Sequence, residues 1–91
     1  MEFEWDNVKN LSNFEKHKIY FQVAVKIFEG PILTRVDDRE RYEEVRELAV
    51  GIVDGREITV CYTDRGDVWR IISARKATPR ERREYWRRNR P

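Results

Sequence analysis

Two tight turns in the second half of the chain limit the folds that it can adopt. The first is Asp54-Gly55, which separates the strand-like runs 48–53 and 56–63. Asp-Gly between such runs is a strong signal for a two-residue β-hairpin. The second turn is the polar stretch 64–67, which leads into a further strand-like run, 68–76. We therefore predict a three-stranded antiparallel meander in this half of the chain.

The remaining segments predict helices packed on this sheet and one or two further strands beside it. Asp6 is a suitable N-cap for a first helix, and Thr78-Pro79 with Glu81 is typical of a capped helix start. The expected elements are a short edge strand at 3–5, a first helix up to His17, a second helix at 20–28 ended by Gly30-Pro31, a strand at 32–36 and a C-terminal helix at 79–88. The predicted fold class is therefore α+β, with two N-terminal helices on an antiparallel sheet and a C-terminal helix.

Apolar residues at helical spacing indicate which faces of the N-terminal helices lie against the core. In the first helix the apolar stripe consists of Val8, Leu11 and Phe14. In the second helix the positions expected to face the core are Phe21, Ala24, Val25 and Phe28.

Length and composition exclude several classes of protein. A chain of 91 residues is enough for one small domain, which we expect to span residues 1–91. No apolar run approaches the ~20 residues of a membrane span, and no signal-peptide pattern opens the chain. The only cysteine, Cys61, excludes an internal disulfide and fits the reducing cytoplasm, and its place between Val60 and Tyr62 is typical of an apolar core position.

The strand-like run 68–76 carries three cations, Arg70, Arg75 and Lys76, which a strand that only filled a core would not need. They either form ion pairs with carboxylates such as Glu44 or bind an anionic substrate. If Thr63 lies opposite Val68, side-chain alternation places Arg70 and Arg46 on one face of the sheet. Arg75 then lies on the opposite face.

The chain is also unevenly charged along its length. Residues 75–91 carry eight Lys/Arg against two Asp/Glu, although the whole chain has a net charge of only +2. A basic C-terminal end is typical of proteins that bind a polyanion or an acidic partner, but it also fits a solvated basic helix.

Several motifs, in the right order over nearly the whole chain, resemble the BrnT toxins. The matching segments are Phe3–Asp6, Asn13–His17, Phe21–Ala24, Glu44–Arg46, Val60–Asp67, Arg70–Ala77 and Glu81–Tyr85. The run Arg70–Ala77 is the most specific of them. Two positions depart from the family pattern: Lys18 stands where glycine is usual, and Val45 stands where a second acidic residue is usual.

The resemblance implies a RelE-like fold and a ribonuclease toxin of a type II toxin–antitoxin system, which inhibits translation and growth. It also implies a BrnA-type antitoxin as partner, a protein that binds DNA when complexed and forms a hetero-oligomer with the toxin. The implied reaction is metal-independent RNA cleavage by attack of the ribose 2′-hydroxyl on the adjacent phosphate. No cofactor is expected, and the sequence contains no Cys/His cluster with metal-ligand spacing.

The implied chemistry selects seven candidate catalytic residues. The candidates for binding the phosphate and stabilising the transition state are Arg46, Arg65, Arg70 and Arg75. The candidates for proton transfer or further positive charge are Lys16, His17 and Lys76. The same residues also have structural interpretations: His17 fits a helix cap, and Glu44 fits either a general base or a partner that orients an arginine.

The aromatic residues leave alternatives open as well. Tyr62 and Trp69 share a predicted sheet face, where they either stack on a base or pack in the core. Tyr85 and Trp86 on the last helix are either core anchors or antitoxin contacts. An alternative function is a non-catalytic nucleic-acid- or antitoxin-binding module, such as a degenerate toxin.

Overall fold

The computed structural model describes residues 1–90 and shows helices on both sides of a five-stranded sheet. The strands are β1 (Glu2–Glu4), β2 (Leu33–Val36), β3 (Glu47–Val53), β4 (Arg56–Asp64) and β5 (Val68–Lys76), and the helices are α1 (Asn7–His17), α2 (Phe21–Ala24), a 3₁₀ segment (Val25–Glu29) and α3 (Pro79–Arg88). The predicted α+β class, the meander and the C-terminal helix are confirmed. The expectation of an antiparallel sheet is wrong in one place: the order is β1-β5-β4-β3-β2, and β1 runs parallel to β5.

The first hairpin forms as predicted. Val53 pairs with Arg56, and both turn residues have positive φ, 50° at Asp54 and 76° at Gly55. Positive φ at both central positions matches the right-handed twist of the flanking strands, and it explains why this Asp-Gly pair is suited to the turn.

The second hairpin has a different register from the predicted one. The amide of Arg65 donates to the carbonyl of Val68, so only Gly66-Asp67 remains at the tip, with φ 89° at Gly66. As a result Thr63 pairs with Arg70 and not with Val68.

A β-bulge in the same pair of strands changes the faces of the cations. Tyr62 pairs with Ile71, but the preceding residue Cys61 pairs with Ser73, so β5 contains one extra residue. Because side chains alternate along a strand, one extra residue reverses the face of everything beyond it. The prediction that Arg70 and Arg75 lie on opposite faces is therefore wrong: the bulge brings both to the same face.

The predicted second helix is shorter and tighter than expected. It begins as one α-helical turn and continues as the 3₁₀ segment, and Gly30 ends it. A 3₁₀ segment has three residues per turn, and the buried residues accordingly follow at intervals of three: Phe21, Ala24 and Ile27. Val25 and Phe28 are half-buried and pack against the core as expected, while Ile27, which was not expected there, is fully buried because the helix tightens.

Helix α1 packs on the sheet with a different face from the predicted one. Val8 and Leu11 of the apolar stripe are 76% and 60% exposed, whereas Asn10 and Asn13 are buried. The reason is that β1 pairs only with the first three residues of β5 and leaves the rest of that edge open. The amide group of Asn13 closes it, donating to the carbonyl of Ala74 (2.9 Å) and accepting from its N–H (3.1 Å).

Replacing Asn13 by alanine should destabilise the fold strongly. The substitution removes both bonds to Ala74 and the bond to the Ile19 carbonyl, and it leaves buried backbone groups unpaired. We expect the free energy of unfolding to fall by about 2–4 kcal/mol, measured by urea denaturation. The exposed neighbour Ser12→Ala is the control, and equal midpoints for the two variants would contradict the role of Asn13.

Candidate active site

The sheet face opposite α1 is only partly covered by α3. Tyr85 of α3 packs on Val50 and Ala77 at one end of this face. Beyond α3, the face carries the side chains of Cys61, Thr63 and Ser73 together with several arginines. We call Arg39, Arg46, Arg65, Arg70 and Arg75 the arginine cluster.

Arg65 and Arg70 lie beside each other at the β4–β5 hairpin and share acidic partners. Arg65 forms two hydrogen bonds with Glu44, at 3.0 and 2.7 Å, and a third with Glu4 at 3.3 Å. Arg70 has one longer ion pair, 3.4 Å from its Nη1 to Glu4 Oε2. Arg65 is therefore bound tightly by carboxylates, while Arg70 is held by a single weak contact.

Arg46 joins this group from the loop before β3. Strand β3 begins at Glu47, and Arg46 immediately precedes it. Its guanidinium lies 3.9 Å from the ring centroid of Tyr42, which is cation–π geometry. In residues 1–90 it forms no ion pair within 4 Å.

Three of the predicted arginines act on the carboxyl group of Glu44. Its pKa is lowered first by the hydrogen bonds from Arg65, and also by the charges of Arg70 and Arg46. Arg65 and Arg70 from the β4–β5 hairpin and Arg46 from the loop before β3 therefore act on one exposed carboxylate, and Arg65 is bonded to it directly. Glu44 holds Arg65, in agreement with the interpretation that it orients an arginine.

Cys61 is buried on β4, on the sheet face that carries Arg70 and Arg75. Burial raises the pKa of its thiol, and the charge of Asp37 adds to the increase. The charges of Arg46, Arg39 and Arg75 act in the opposite direction. The buried thiol stays protonated at neutral pH, as expected for a core residue and not for a nucleophile.

Arg75 is bound by Glu81, a residue that the sequence indicated only as part of the capped start of a helix. Its guanidinium binds both carboxylate oxygens of Glu81, at 2.7 and 3.1 Å. Arg35 and Thr59 donate to the same carboxylate at 2.8 and 3.0 Å. Burial alone would raise the pKa of Glu81, but these bonds and one from the Thr78 amide outweigh it and hold the pKa well below its usual range.

Arg39 and Asp37 are members of the site that sequence reasoning missed. Asp37 is buried, and Arg39 donates to its two oxygens at 2.8 and 2.7 Å. These hydrogen bonds outweigh the effect of burial and lower the pKa of Asp37 to about 2. Residues 37–41 form a run of charged residues in the sequence, and no local signal predicted that Asp37 would be buried with Arg39 as its partner.

The three candidates for proton transfer lie elsewhere. Lys16 and His17 are exposed at the end of α1. His17 follows Asn13 by one helical turn, so it lies on the α1 face that borders the edge of β5. Lys76 ends β5, and its charge acts on Glu57 together with Arg82, beside α3. In residues 1–90 none of these three side chains forms an ion pair within 4 Å, so none shares a carboxylate with the arginine cluster.

Tyr62 and Trp69, which were considered for base stacking, belong to the core, and the two aromatic residues of α3 have other partners. Tyr62 and Trp69 stack on each other with ring centroids 4.8 Å apart, and Tyr62 is buried. Burial, with a hydrogen bond to Glu47, raises the pKa of Tyr62. Tyr85 is a core anchor that donates to the Pro31 carbonyl, while Trp86 is exposed and donates to Glu57.

A comparison with models of protein families decides what kind of protein this is. Residues 5–81 match the model described as "Ribonuclease toxin, BrnT, of type II toxin-antitoxin system". The chain belongs to the BrnT family. A search of curated proteins found no match. The matched region of the BrnT chain contains the whole arginine cluster and ends at Glu81, the carboxylate that holds Arg75.

Membership of the BrnT family confirms the resemblance found in the sequence. A type II toxin–antitoxin system implies that this BrnT protein has an antitoxin partner. None of the helices in residues 1–90 is long and apolar enough to cross a membrane. The same part of the BrnT chain contains no group of three or more His, Cys, Asp or Glu placed to hold a metal ion.

Glu81→Gln should weaken the fold and change its response to acid. A carboxyl group with a lowered pKa stabilises the fold at neutral pH, and this contribution is lost as the pH falls and the group is protonated. We expect the variant to lose about 3 kcal/mol of unfolding free energy at pH 7. Below about pH 5 the stability of the variant should depend less on pH than that of the wild type.

The matched control is Glu84→Gln, on the same helix but partly exposed. It should leave the pH profile of the wild type almost unchanged. Denaturation in urea at a series of pH values measures both effects. Parallel pH profiles for Glu81→Gln and the wild type would contradict the role of this carboxylate.

Proposed function

We propose that this BrnT protein is a metal-independent endoribonuclease that acts in the cytoplasm, where it inhibits translation and growth. A BrnA-type antitoxin would neutralise it in a hetero-oligomeric complex. The proposal places RNA cleavage at the arginine cluster, with Arg70 and Arg46 as the principal phosphate ligands.

The weak pairing of Arg70 and Arg46 with other protein groups is the observation that supports the proposal. Arg70 lies on the sheet face that α3 covers only in part, Arg46 lies in the loop just before β3, and the charges of both act on Glu44. Arg70 is 32% exposed and keeps only the 3.4 Å contact to Glu4, so its other guanidinium N–H groups are free to donate to a phosphate. Arginine remains charged at any cellular pH and matches the geometry of phosphate oxygens.

The reaction follows from what these groups can do. The 2′-oxygen attacks the adjacent phosphorus, the new P–O2′ bond forms, and the P–O5′ bond breaks with the electron pair leaving on the 5′-oxygen. Negative charge increases on the non-bridging oxygens, where fixed guanidiniums stabilise it. One group must accept the 2′-proton and another must supply a proton to the 5′-oxygen.

Proton transfer requires groups in addition to the phosphate ligands. Glu44 lies among the arginines, but both of its oxygens accept from Arg65 and its lowered pKa makes it a weaker base, so it is better suited to orienting Arg65 than to accepting the 2′-proton. Lys16, His17 and Lys76 remain candidates for a substrate that extends from the arginine cluster to the end of β5.

A binding module without catalysis is the second candidate function. It is favoured by the carboxylates that already occupy Arg65 and Arg75, because an arginine paired in this way has fewer free donors for a substrate. RNA binding that weakens with salt, without any cleavage, would indicate this alternative.

Replacing Arg70 by alanine should reduce RNA cleavage by about 100-fold or more, because a charged donor to the transition state is lost. The assay follows a labelled RNA incubated with purified protein in excess chelator, alongside growth of cells that express each variant. Arg56→Ala, an exposed arginine on the first hairpin, is the control and should retain full activity.

Three outcomes would contradict parts of the proposal. Intact RNA with the wild-type protein would show that it is not a ribonuclease. Equal activity of Arg70→Ala and the wild type would show that the site is misplaced. Loss of cleavage in chelator, with recovery on adding Mg²⁺, would show that the reaction requires a metal ion.

A further inference from the structure

Strand β2 presents an open edge of the sheet. It pairs with β3 on one side, and in residues 1–90 no strand pairs with its other side. Thr34, Arg35 and Val36 are exposed along it. An unpaired row of backbone N–H and C=O groups is a template for an extended segment of another chain.

A groove runs directly beside this edge, between β2 and α3. Its volume is about 540 Å³, and the residues that line it include Leu33 and Val50 on the sheet and Arg80, Glu84 and Arg88 on the helix. A strand added to β2 would direct alternate side chains towards this face of the sheet. The groove therefore offers apolar contacts at Leu33 and Val50, and its charged lining consists of Arg35, Arg80, Arg88, Glu81 and Glu84. Glu81 is already bound by Arg75 and Arg35, and Glu84 by Arg87, so the less tightly paired charges are arginines.

The charges of the groove select an acidic segment. Arg80 has no ion-pair partner within 4 Å in residues 1–90, Arg88 has only a 3.9 Å contact to Glu84, and Arg35 is 56% exposed despite its bond to Glu81. The other open edge of the sheet, β1, carries Glu2 and Glu4 and has only three residues. An acidic strand is therefore attracted to β2 and repelled from β1.

We propose that the β2 edge and this groove bind an extended acidic segment of the antitoxin, which pairs with Leu33–Val36 as a sixth strand. Its apolar side chains contact Leu33 and Val50, and its carboxylates contact Arg80 and Arg88. The inference rests on the proposed function in one respect, because the partner is taken to be the BrnA-type antitoxin of this toxin.

Hydrogen exchange of the complex tests the geometry. The probe is a BrnA-type antitoxin purified together with the full-length chain. We expect exchange of the outward-facing amides within Leu33–Val36 to slow by at least about 10-fold in the complex, because they become paired. The amides of Glu2–Glu4 at the other edge should exchange as in the free protein.

Charge reversal tests the chemistry of the groove. Arg80→Glu should weaken antitoxin binding by about 10-fold or more at low salt, because it places a carboxylate against an acidic segment. Arg83→Glu is the matched control, since it makes the same change on an exposed residue of α3 that does not line the groove. It should change the dissociation constant by less than about threefold. Titration calorimetry of each variant against the antitoxin measures both values.

Four results would overturn the proposal. They are the absence of a complex, protection at β1 without protection at β2, equal effects of Arg80→Glu and Arg83→Glu, and a loss of oligoribonucleotide binding in Arg80→Glu with antitoxin binding unchanged. The last result would assign the groove to RNA. Neither measurement depends on cleavage, so an inactive wild-type protein that still shows protection at β2 would refute the ribonuclease proposal and leave this one intact.

Discussion

The Glu81 carboxylate connects more of this structure than any other side chain described. It accepts hydrogen bonds from Arg75 on β5, Thr59 on β4 and Arg35 on β2, and it closes the capping box at the start of α3. A buried carboxylate is costly to remove from water, and only several well-directed donors offset that cost. Because these donors come from three strands, α3 can sit on the sheet in only one position.

This arrangement divides the arginines into two kinds. Arg75 and Arg65 each have a carboxylate bound by two hydrogen bonds, so they hold the framework together. Arg70 and Arg46 are held more loosely, by one long ion pair and one aromatic ring. The cations best suited to an incoming phosphate are thus the less tightly paired ones, and the paired ones fix the surface on which they stand.

Features that depend on neighbouring residues were predictable from the sequence, and features that depend on tertiary contacts were not. The Asp54-Gly55 turn, the Asp6 cap and the Thr78–Glu81 capping box depend on neighbouring residues, and all three formed as expected. The orientation of α1 depends on the open edge of β5. Asn13 must face this edge to bond the backbone of Ala74, and the apolar stripe of α1 is therefore turned away from the core.

The candidate site was predictable to a similar extent. The family motif marked Arg70 and its neighbours, and the structure gathered three of the predicted arginines around Glu44. The loop with Asp37 and Arg39 could not be found, since nothing local indicates a buried carboxylate there. The shared face of Arg70 and Arg75 was missed for the same reason, because a bulge leaves no signature in composition or alternation.

That bulge has a consequence for how this chain can change length. Between Arg70 and Arg75 the strand carries one residue more than its partner requires. Deleting Ile72, the residue that has no partner on β4, would remove the bulge and leave Arg75 opposite Thr59, on the face that carries Arg70. In a strand of unchanged length without the bulge, regular alternation would instead turn Arg75 away from Glu81, and α3 would lose the partner that anchors it. The position of α3 therefore depends on one residue of β5 being left out of the pairing with β4.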